Sequence, residues 1–307
     1  MPPRRTCARS ATALGRTTST ASTDTTRMLT CRDPRSMHAW SRAQRVAGRR
    51  IACVPTMGAL HAGHLALIDK ARECGDVVVV SIFVNPLQFN RPDDFDKYPR
   101  PIDDDIDACR AAGVDAVYAP TAADMYPAGF QTHVEPGPLA SSLEGSGRPG
   151  HFRGVTTVVA KLFGAMQPDV AVFGEKDFQQ LAIIRRMVVD LDFDVEIVAV
   201  PTVREPDGLA ISSRNARLSS DQRRAAVCVV QALRLAETAA SAGERDVDML
   251  LAIATARIDT EPLAKLEYLQ IVDPLTLDPL TILDRPAVLV AAACFGDVRL
   301  IDNARLP

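Results

Sequence analysis

Short, uninterrupted apolar runs alternate with stretches of helical spacing through the first two-thirds of the chain, and this alternation narrows the fold more than any other feature. The runs cover residues 51–54, 77–84, 116–119, 170–173 and 195–200. Their continuous hydrophobicity suits strands buried on both faces rather than strands with one wet face. Helical spacing appears at residues 36–48, 64–73, 103–112, 155–166 and 178–190, with Met37, Trp40 and Val46 expected on the apolar face of the first. The pattern predicts a parallel sheet with helices on both faces and right-handed crossovers. Such sheets bind ligands beyond the carboxyl ends of their strands. The polar residues that follow each run are therefore the candidates for function.

The first run leads into Val54-Pro55-Thr56-Met57-Gly58-Ala59-Leu60-His61-Ala62-Gly63-His64. This reads as strand, tight turn and helix, with two imidazoles where the helix begins. Gly58 and Gly63 let the backbone turn sharply and let a ligand come close. A helix start offers unpaired N–H groups and the positive end of the dipole, which suits phosphate. No third His or Cys lies near, whereas catalytic zinc usually takes three protein ligands. A nucleotide phosphate site is the better assignment.

With 307 residues, 47% hydrophobic and 24% charged, the chain can bury a sizeable core. A net charge of −3 gives no sign of a nucleic-acid partner. No apolar run reaches the length of a membrane span. Seven cysteines are scattered without a C-x-x-C, which fits reduced thiols and a cytoplasmic location. Residues 1–27 are rich in Thr, Ser, Arg and Ala, with Asp24 as the sole acid. They read as a disordered extension or as sequence upstream of a start at Met28, although a transit peptide shares the composition. Texture changes near residues 201–218. Two helix candidates at 220–240 and 247–258 and strand candidates at 266–272, 287–294 and 298–301 follow. The expected division is a Rossmann-like domain over residues 28–202 and a smaller α+β domain over residues 203–307.

Further polar motifs fall after the strand candidates. Asn85 and Gln88 are neutral donor–acceptor groups able to grip a hydroxyl or carboxylate. Asp103, Asp104 and Asp105 either start a helix or turn a carboxylate toward Mg²⁺ on a nucleotide. Residues 143–152 form a polar, glycine-rich loop in which Glu144 and Arg148 are spaced to pair. Gly174, Glu175, Lys176 and Asp177 join a buried strand to a helix, with Lys176 placed to neutralise phosphate and Gln180 one turn further on the same face. Ile211, Ser212, Ser213 and Arg214 follow, and hydroxyls with a guanidinium bind pyrophosphate well. There is no G-x-S-x-G elbow and no Walker A sequence, so nothing supports a covalent serine or cysteine nucleophile.

Taken in order, residues 55–64, 83–89, 98–100, 143–152, 174–180 and 211–215 resemble the motifs of the pantoate–β-alanine ligase family. The resemblance runs from about residue 28 to residue 303. The H-x-G-H piece by itself marks only the wider nucleotidyltransferase superfamily. The resemblance implies a Rossmann-like domain, a smaller C-terminal domain that closes over the site, and a homodimer. It implies that pantoate and Mg·ATP give pantoyl adenylate and pyrophosphate, after which the amine of β-alanine displaces AMP. By the same resemblance Met57, Gly58, Ala59, Leu60, His61, Ala62, Gly63 and His64 line the ATP site. Gly174, Glu175, Lys176, Asp177, Val203, Ile211, Ser212, Ser213 and Arg214 complete it. His64 is carried over as a proton donor, and His61 and His64 are expected to stabilise charge on the phosphoryl group, at least one as a cation. Gln88 is carried over to both pantoate and β-alanine, Gln180 to pantoate, and Asn85 assists them. Asp104 and Asp105 are the magnesium candidates. Ile211 and Ala62 depart from the family's usual residues without touching a catalytic polar group.

Overall fold

A computed structural model describes residues 28–90 and 95–307, so the N-terminal extension lies outside the described residues. The first sheet contains β1 (Leu29–Cys31), β2 (Ile51–Thr56), β3 (Val77–Ile82), β4 (Ala116–Tyr118), β5 (Val170–Gly174) and β6 (Glu196–Val200). All of its pairings are parallel, in the order β1-β4-β3-β2-β5-β6. The chain therefore winds outward through β3 and β4, then crosses back to place β5 on the other side of β2. The crevice between β2 and β5 is the switch point at which a doubly wound sheet opens a binding site.

Helices cover both faces of this sheet. On one side α1 (Pro34–Val46), α4 (His151–Met166) and α5 (Phe178–Asp190) contribute Met37, Phe163, Ile184 and their neighbours to a core with Cys53, Val79 and Ala171. On the other side α2 (Ala62–Cys74) and α3 (Ile102–Ala111) place Leu67, Ile68 and Cys109 against Val54, Val80 and Val172. Every residue of β3 is buried, as expected of a strand covered on both faces. Asp33 caps α1 by accepting from the amides of Arg35 and Ser36, and Pro34 fills the first helical position. Val46, expected on the buried face of α1, is 84% exposed. Met37 and Trp40 do face the core as expected, and Ser41 and Gln44 complete the buried face.

The C-terminal part contains α6 (Ser220–Ala225), α7 (Val227–Ser241), α8 (Val247–Asp259) and a three-stranded antiparallel sheet. That sheet comprises β7 (Lys265–Val272), β8 (Ala287–Phe295) and β9 (Val298–Leu306) in the order β7-β8-β9. The long helix anticipated at residues 220–240 is broken at Ala226. One face of the small sheet packs on α7 and α8. Val272, Val288 and Val290 pack instead against Leu143 and Phe178 of the larger part. Arg204, just past β6, binds Asp302 through two hydrogen bonds of 2.7 and 2.9 Å. These contacts fix the small sheet over the carboxyl ends of the parallel strands.

Candidate active site

The turn between β2 and α2 is held by a buried scaffold. The Thr56 hydroxyl donates to the Ser81 carbonyl at 2.6 Å and accepts from the Gly58 amide at 3.2 Å. Gly58 has φ +79° and Ala59 φ +50°, both left-handed, and a residue with a Cβ adopts that conformation only under constraint. Asp105, at the start of α3, supplies the constraint. Its two carboxylate oxygens accept from the amides of Ala59 at 2.8 Å and Leu60 at 2.7 Å. Asp105, a magnesium candidate by sequence, is thus buried and turned toward this backbone. Asp104 is exposed and does not line the cavity described below. Among the described residues no cluster of three or more His, Cys, Asp or Glu side chains could hold a metal ion.

Beyond this turn the ring of His64 stacks on that of His61, and the His61 amide donates to His64 Nδ1 at 3.3 Å. A neutral His64 therefore carries its hydrogen on Nε2. Nδ1 of His61 is buried without a hydrogen-bond partner among the described residues. Burial, the charge of His61 and the nearby Lys176 lower the His64 pKa to about 3. Burial and Lys176 also lower that of His61. The neutral form of both rings is thus favoured in the free protein. The cause is that two imidazoles and an ammonium share one partly buried site.

A cavity of about 230 Å³ opens over the β2–β5 switch point. Its walls bring together Met57, His61, Gly63, His64, Asn85, Gln88, Gly174, Lys176, Asp177, Gln180, Val203, Ile211, Ser212, Ser213 and Arg214, residues that span 158 positions from first to last (57 to 214). The predicted Gly58, Ala59, Leu60, Ala62 and Glu175 do not line it. Gly58, Ala59 and Leu60 shape the turn behind it. A second cavity of about 520 Å³ shares Arg148, Lys176, Asp177, Ser212 and Arg214 with the first and extends along β7 and β9.

Beside the histidines, the chain leaving β5 delivers Lys176 on a single 3₁₀ turn (Glu175–Asp177). The carbonyls of Glu175 and Lys176 accept from the Asn303 side chain at 2.9 and 3.0 Å, and Glu175 pairs with Arg305 at 2.6 Å. The small sheet thus fixes the lysine's backbone. Asp177 stands at the N-cap of α5 without a side-chain cap bond. Val203 and Ile211 are joined by a 3.0 Å backbone hydrogen bond, and the Ser212 hydroxyl accepts from the Arg214 amide at 3.3 Å.

The third wall is neutral. Asn85 donates to Gln88 Oε1 at 3.0 Å and to the Gly154 carbonyl at 3.0 Å, while its own oxygen accepts from the Tyr126 hydroxyl at 2.7 Å and the Leu87 amide at 3.3 Å. Asn85 is therefore a support for Gln88. Gln88 Nε2 lies 3.0 Å from Met57 Sδ, a weak acceptor that a better ligand can replace. Apolar Val155, Val158 and Leu162 of α4 close the floor. One wall is cationic, rich in donors and suited to phosphates; the other combines a neutral amide with an aliphatic surface.

A family model for pantoate-beta-alanine ligase matches residues 29–305. The chain belongs to this family. It is 54% identical over 271 residues to the pantothenate synthetase of Mycolicibacterium smegmatis, a match that covers 88% of this chain and 85% of that one. It is 51% identical over 259 residues to the pantothenate synthetase of Syntrophotalea carbinolica, covering 84% and 92%. Among solved structures, the pantothenate synthetase of Thermus thermophilus superposes with a TM-score of 0.86 at 45% identity, covering 90% of this chain and 99% of that one. The Francisella tularensis pantoate-beta-alanine ligase, in complex with beta-gamma ATP and beta-alanine, gives 0.76 at 36% identity, covering 90% and 97%. These ligases share the six-stranded parallel sheet and the small antiparallel C-terminal sheet.

Three features of the site were not visible as such in the sequence. Arg299 binds Glu144 through two bonds of 2.7 Å, and Tyr268 donates to the same carboxylate at 2.7 Å. Glu144 stands 3.8 Å from Arg148, as their spacing suggested, yet its stronger partner comes from β9. His151 lines the cavity and bonds to the Gln88 carbonyl. No local pattern links these positions. The six described cysteines are all free thiols, and no described helix is long and apolar enough to cross a membrane.

Proposed function

We propose that the chain joins pantoate to β-alanine with Mg·ATP, through pantoyl adenylate. The observation that carries this reading is one cavity with the His61/His64 pair, Lys176 and Arg214 on one side and the Asn85-supported Gln88 on the other. In the first step a pantoate carboxylate oxygen attacks the α-phosphorus of ATP, the bond to the β-phosphate breaks, and pyrophosphate leaves. In the second the amine of β-alanine attacks the acyl carbon, the bond to AMP breaks, and the amine gives up its proton.

His64 donates a hydrogen bond from Nε2 to a phosphate oxygen, and the polyanion raises the basicity of both histidines so that one takes up a proton and becomes the cation of the transition state. Lys176 bears on the phosphates, while Ser212, Ser213 and Arg214 hold the departing pyrophosphate. Val203, Ile211 and the turn from Met57 to Gly63 seat the nucleoside. Gln88 and Gln180 hold pantoate, with Gln88 also meeting β-alanine. Mg²⁺ would come with the nucleotide, held chiefly through its phosphates, and would neutralise part of their charge; Asp104, exposed and outside the cavity, does not fit that role. Orientation of the amine against the adenylate contributes several kcal/mol, within the roughly 7–11 kcal/mol that good alignment can supply. Residues 203–307 act as the smaller domain that covers the adenylate and keeps out water. A homodimer in the cytoplasm completes the proposal; free thiols support the compartment.

The test is AMP and pyrophosphate release with Mg·ATP and pantoate, with and without β-alanine. AMP release that needs both substrates, with pantoate alone supporting pyrophosphate–ATP exchange, is expected. A nucleotide site that ignores pantoate and adenylates another acid would overturn the proposal. Sedimentation velocity decides the dimer.

A further inference from the structure

His151 opens α4 and is buried beside the cavity, yet the two reaction steps leave it without a task. Both ring nitrogens are already engaged. Nδ1 lies 2.8 Å from the Gln88 carbonyl oxygen, and Nε2 lies 3.1 Å from a guanidinium nitrogen of Arg148. Arginine only donates, so Nε2 accepts and Nδ1 carries the hydrogen. Burial and the Arg148 charge lower the ring's pKa to about 4, which keeps it neutral and able to accept. The imidazole is a bridge that takes a hydrogen bond from Arg148 and gives one to Gln88, with no nitrogen left for substrate. Arg148 also reaches the Gln88 carbonyl at 3.4 Å, and on its other side it faces the Glu144 carboxylate at 3.8 Å. Glu144 is bound in turn by Arg299 on β9 and Tyr268 on β7. An unbroken polar line thus runs from the C-terminal sheet to the backbone of the glutamine in the neutral wall.

We propose that His151 is a positioning residue: with Arg148 it fixes the backbone of Gln88, and Glu144 ties that fixture to Arg299, so that docking of the C-terminal sheet sets the pantoate subsite. The link to pantoate rests on the function proposed above. The fixing of Gln88 does not depend on it.

The experiment compares His151→Leu, His151→Asn and Arg299→Met with the wild type by two readouts. The first is hydrogen–deuterium exchange at the amides of Leu87, Gln88 and Phe89 in the substrate-free protein. The second is the KM for pantoate against that for ATP. The Asn amide places a donor where Nδ1 stands, so it restores the bond to Gln88; Leu does not. Exchange at these amides is expected to quicken by about tenfold in His151→Leu and Arg299→Met, the scale of one lost hydrogen bond, and to return toward wild type in His151→Asn. The pantoate KM is expected to rise about tenfold in the same two variants while the ATP KM moves by less than about twofold. The double variant His151→Leu/Arg299→Met is expected to be no worse than the more damaged single one.

Unchanged exchange at residues 87–89 in His151→Leu would overturn the positioning role, and losses that multiply in the double variant would cut the line to Arg299. A fall in kcat at constant pantoate KM, without rescue by Asn, would make His151 an acid–base group. A wild type that ignores pantoate would instead defeat the proposed function, and the exchange data would still decide the role of His151.

Discussion

The rings of His61 and His64 stack with centroids 4.0 Å apart and planes inclined by 30°. Two imidazoles that close cannot both hold a proton cheaply: burial lowers the basicity of each, Lys176 adds to the effect on both, and the charge of His61 lowers that of His64 further. Binding a polyanion reverses the balance, because negative charge beside the pair favours the protonated form. Nucleotide binding is therefore expected to take up a proton between pH 5.5 and 7. The check is calorimetric titration with Mg·ATP in two buffers of different ionisation heat. An apparent enthalpy that does not depend on buffer would mean that the pair stays neutral in the complex.

The same depressed values govern stability in acid. His64 and His151 have folded pKa values of about 3 and about 4, below the ordinary histidine value. An unfolded chain binds protons at these positions while the folded one does not. Their contribution is complete above pH 6.5 and is lost as pH falls toward the folded values. Each is expected to remove about 1.4 kcal/mol between pH 7.5 and 5.5, before most carboxylates titrate. Urea unfolding across that range measures the loss, and His64→Asn is expected to remove its share of the slope. Stability that holds constant or rises on acidification would contradict the neutral assignment.

Lys176 stands on a turn whose carbonyls are held by Asn303, so its side chain can be removed without releasing the backbone. Lys176→Ala is expected to slow adenylate formation by about 1,000-fold, as when a preorganised cationic donor is lost from a phosphoryl site. The thermal midpoint is expected to stay near that of the wild type. Pyrophosphate–ATP exchange at the wild-type rate in the variant would remove Lys176 from the phosphates.

Asp105 is the clearest case of a residue whose type was legible and whose task was not. Three aspartates at a helix start look alike in one dimension. Only the inward one, a turn before buried Cys109, meets the amides of left-handed Ala59 and of Leu60 after it. A Cβ at Gly58 would come within 2.7 Å of its carboxylate, so the glycine and the aspartate require each other. Asp105→Asn replaces one acceptor by a donor facing an amide. It is expected to destabilise the fold by about 1–3 kcal/mol and to raise the ATP KM. The Mg²⁺ dependence of turnover is expected to keep its midpoint. A shifted Mg²⁺ midpoint with unchanged stability would return Asp105 to the metal.

The parallel strands and their helices were readable because each is local: a buried run such as residues 77–82 needs no partner to declare itself. The three-residue strand β1 was missed because Leu29–Cys31 is too short to show a period, and its pairing with β4 is separated by more than eighty residues. Much of the cavity lining, such as His61, Asn85 and Lys176, was readable for the same local reason, since each follows closely on a strand. Arg299 and Tyr268 were not, because a β-strand arginine or tyrosine carries no mark of the distant carboxylate it binds. The break at Ala226 was equally hidden, for alanine is the best helix former and its local context gives no stop signal.

Gly154 lies in the first turn of α4 against the backbone of Leu87 and Gln88. Alanine would ordinarily stabilise a helix position held by glycine, by up to about 1 kcal/mol. Here a Cβ would stand 2.3 Å from the Leu87 carbonyl oxygen and 2.6 Å from the Gln88 amide nitrogen. A Cβ has no rotamer with which to escape, and the neighbours are main chain, so the 3₁₀ turn that carries Gln88 must move. The Asn85 bond to the Gly154 carbonyl moves with it. Gly154→Ala is therefore expected to lower stability by about 1–3 kcal/mol, the range for overpacking, and to raise the pantoate KM more than the ATP KM. Unfolding in urea and initial rates at varied pantoate and ATP measure the two effects. A variant as stable as the wild type with an unchanged pantoate KM would mean that the turn yields without cost and that its position does not set the subsite.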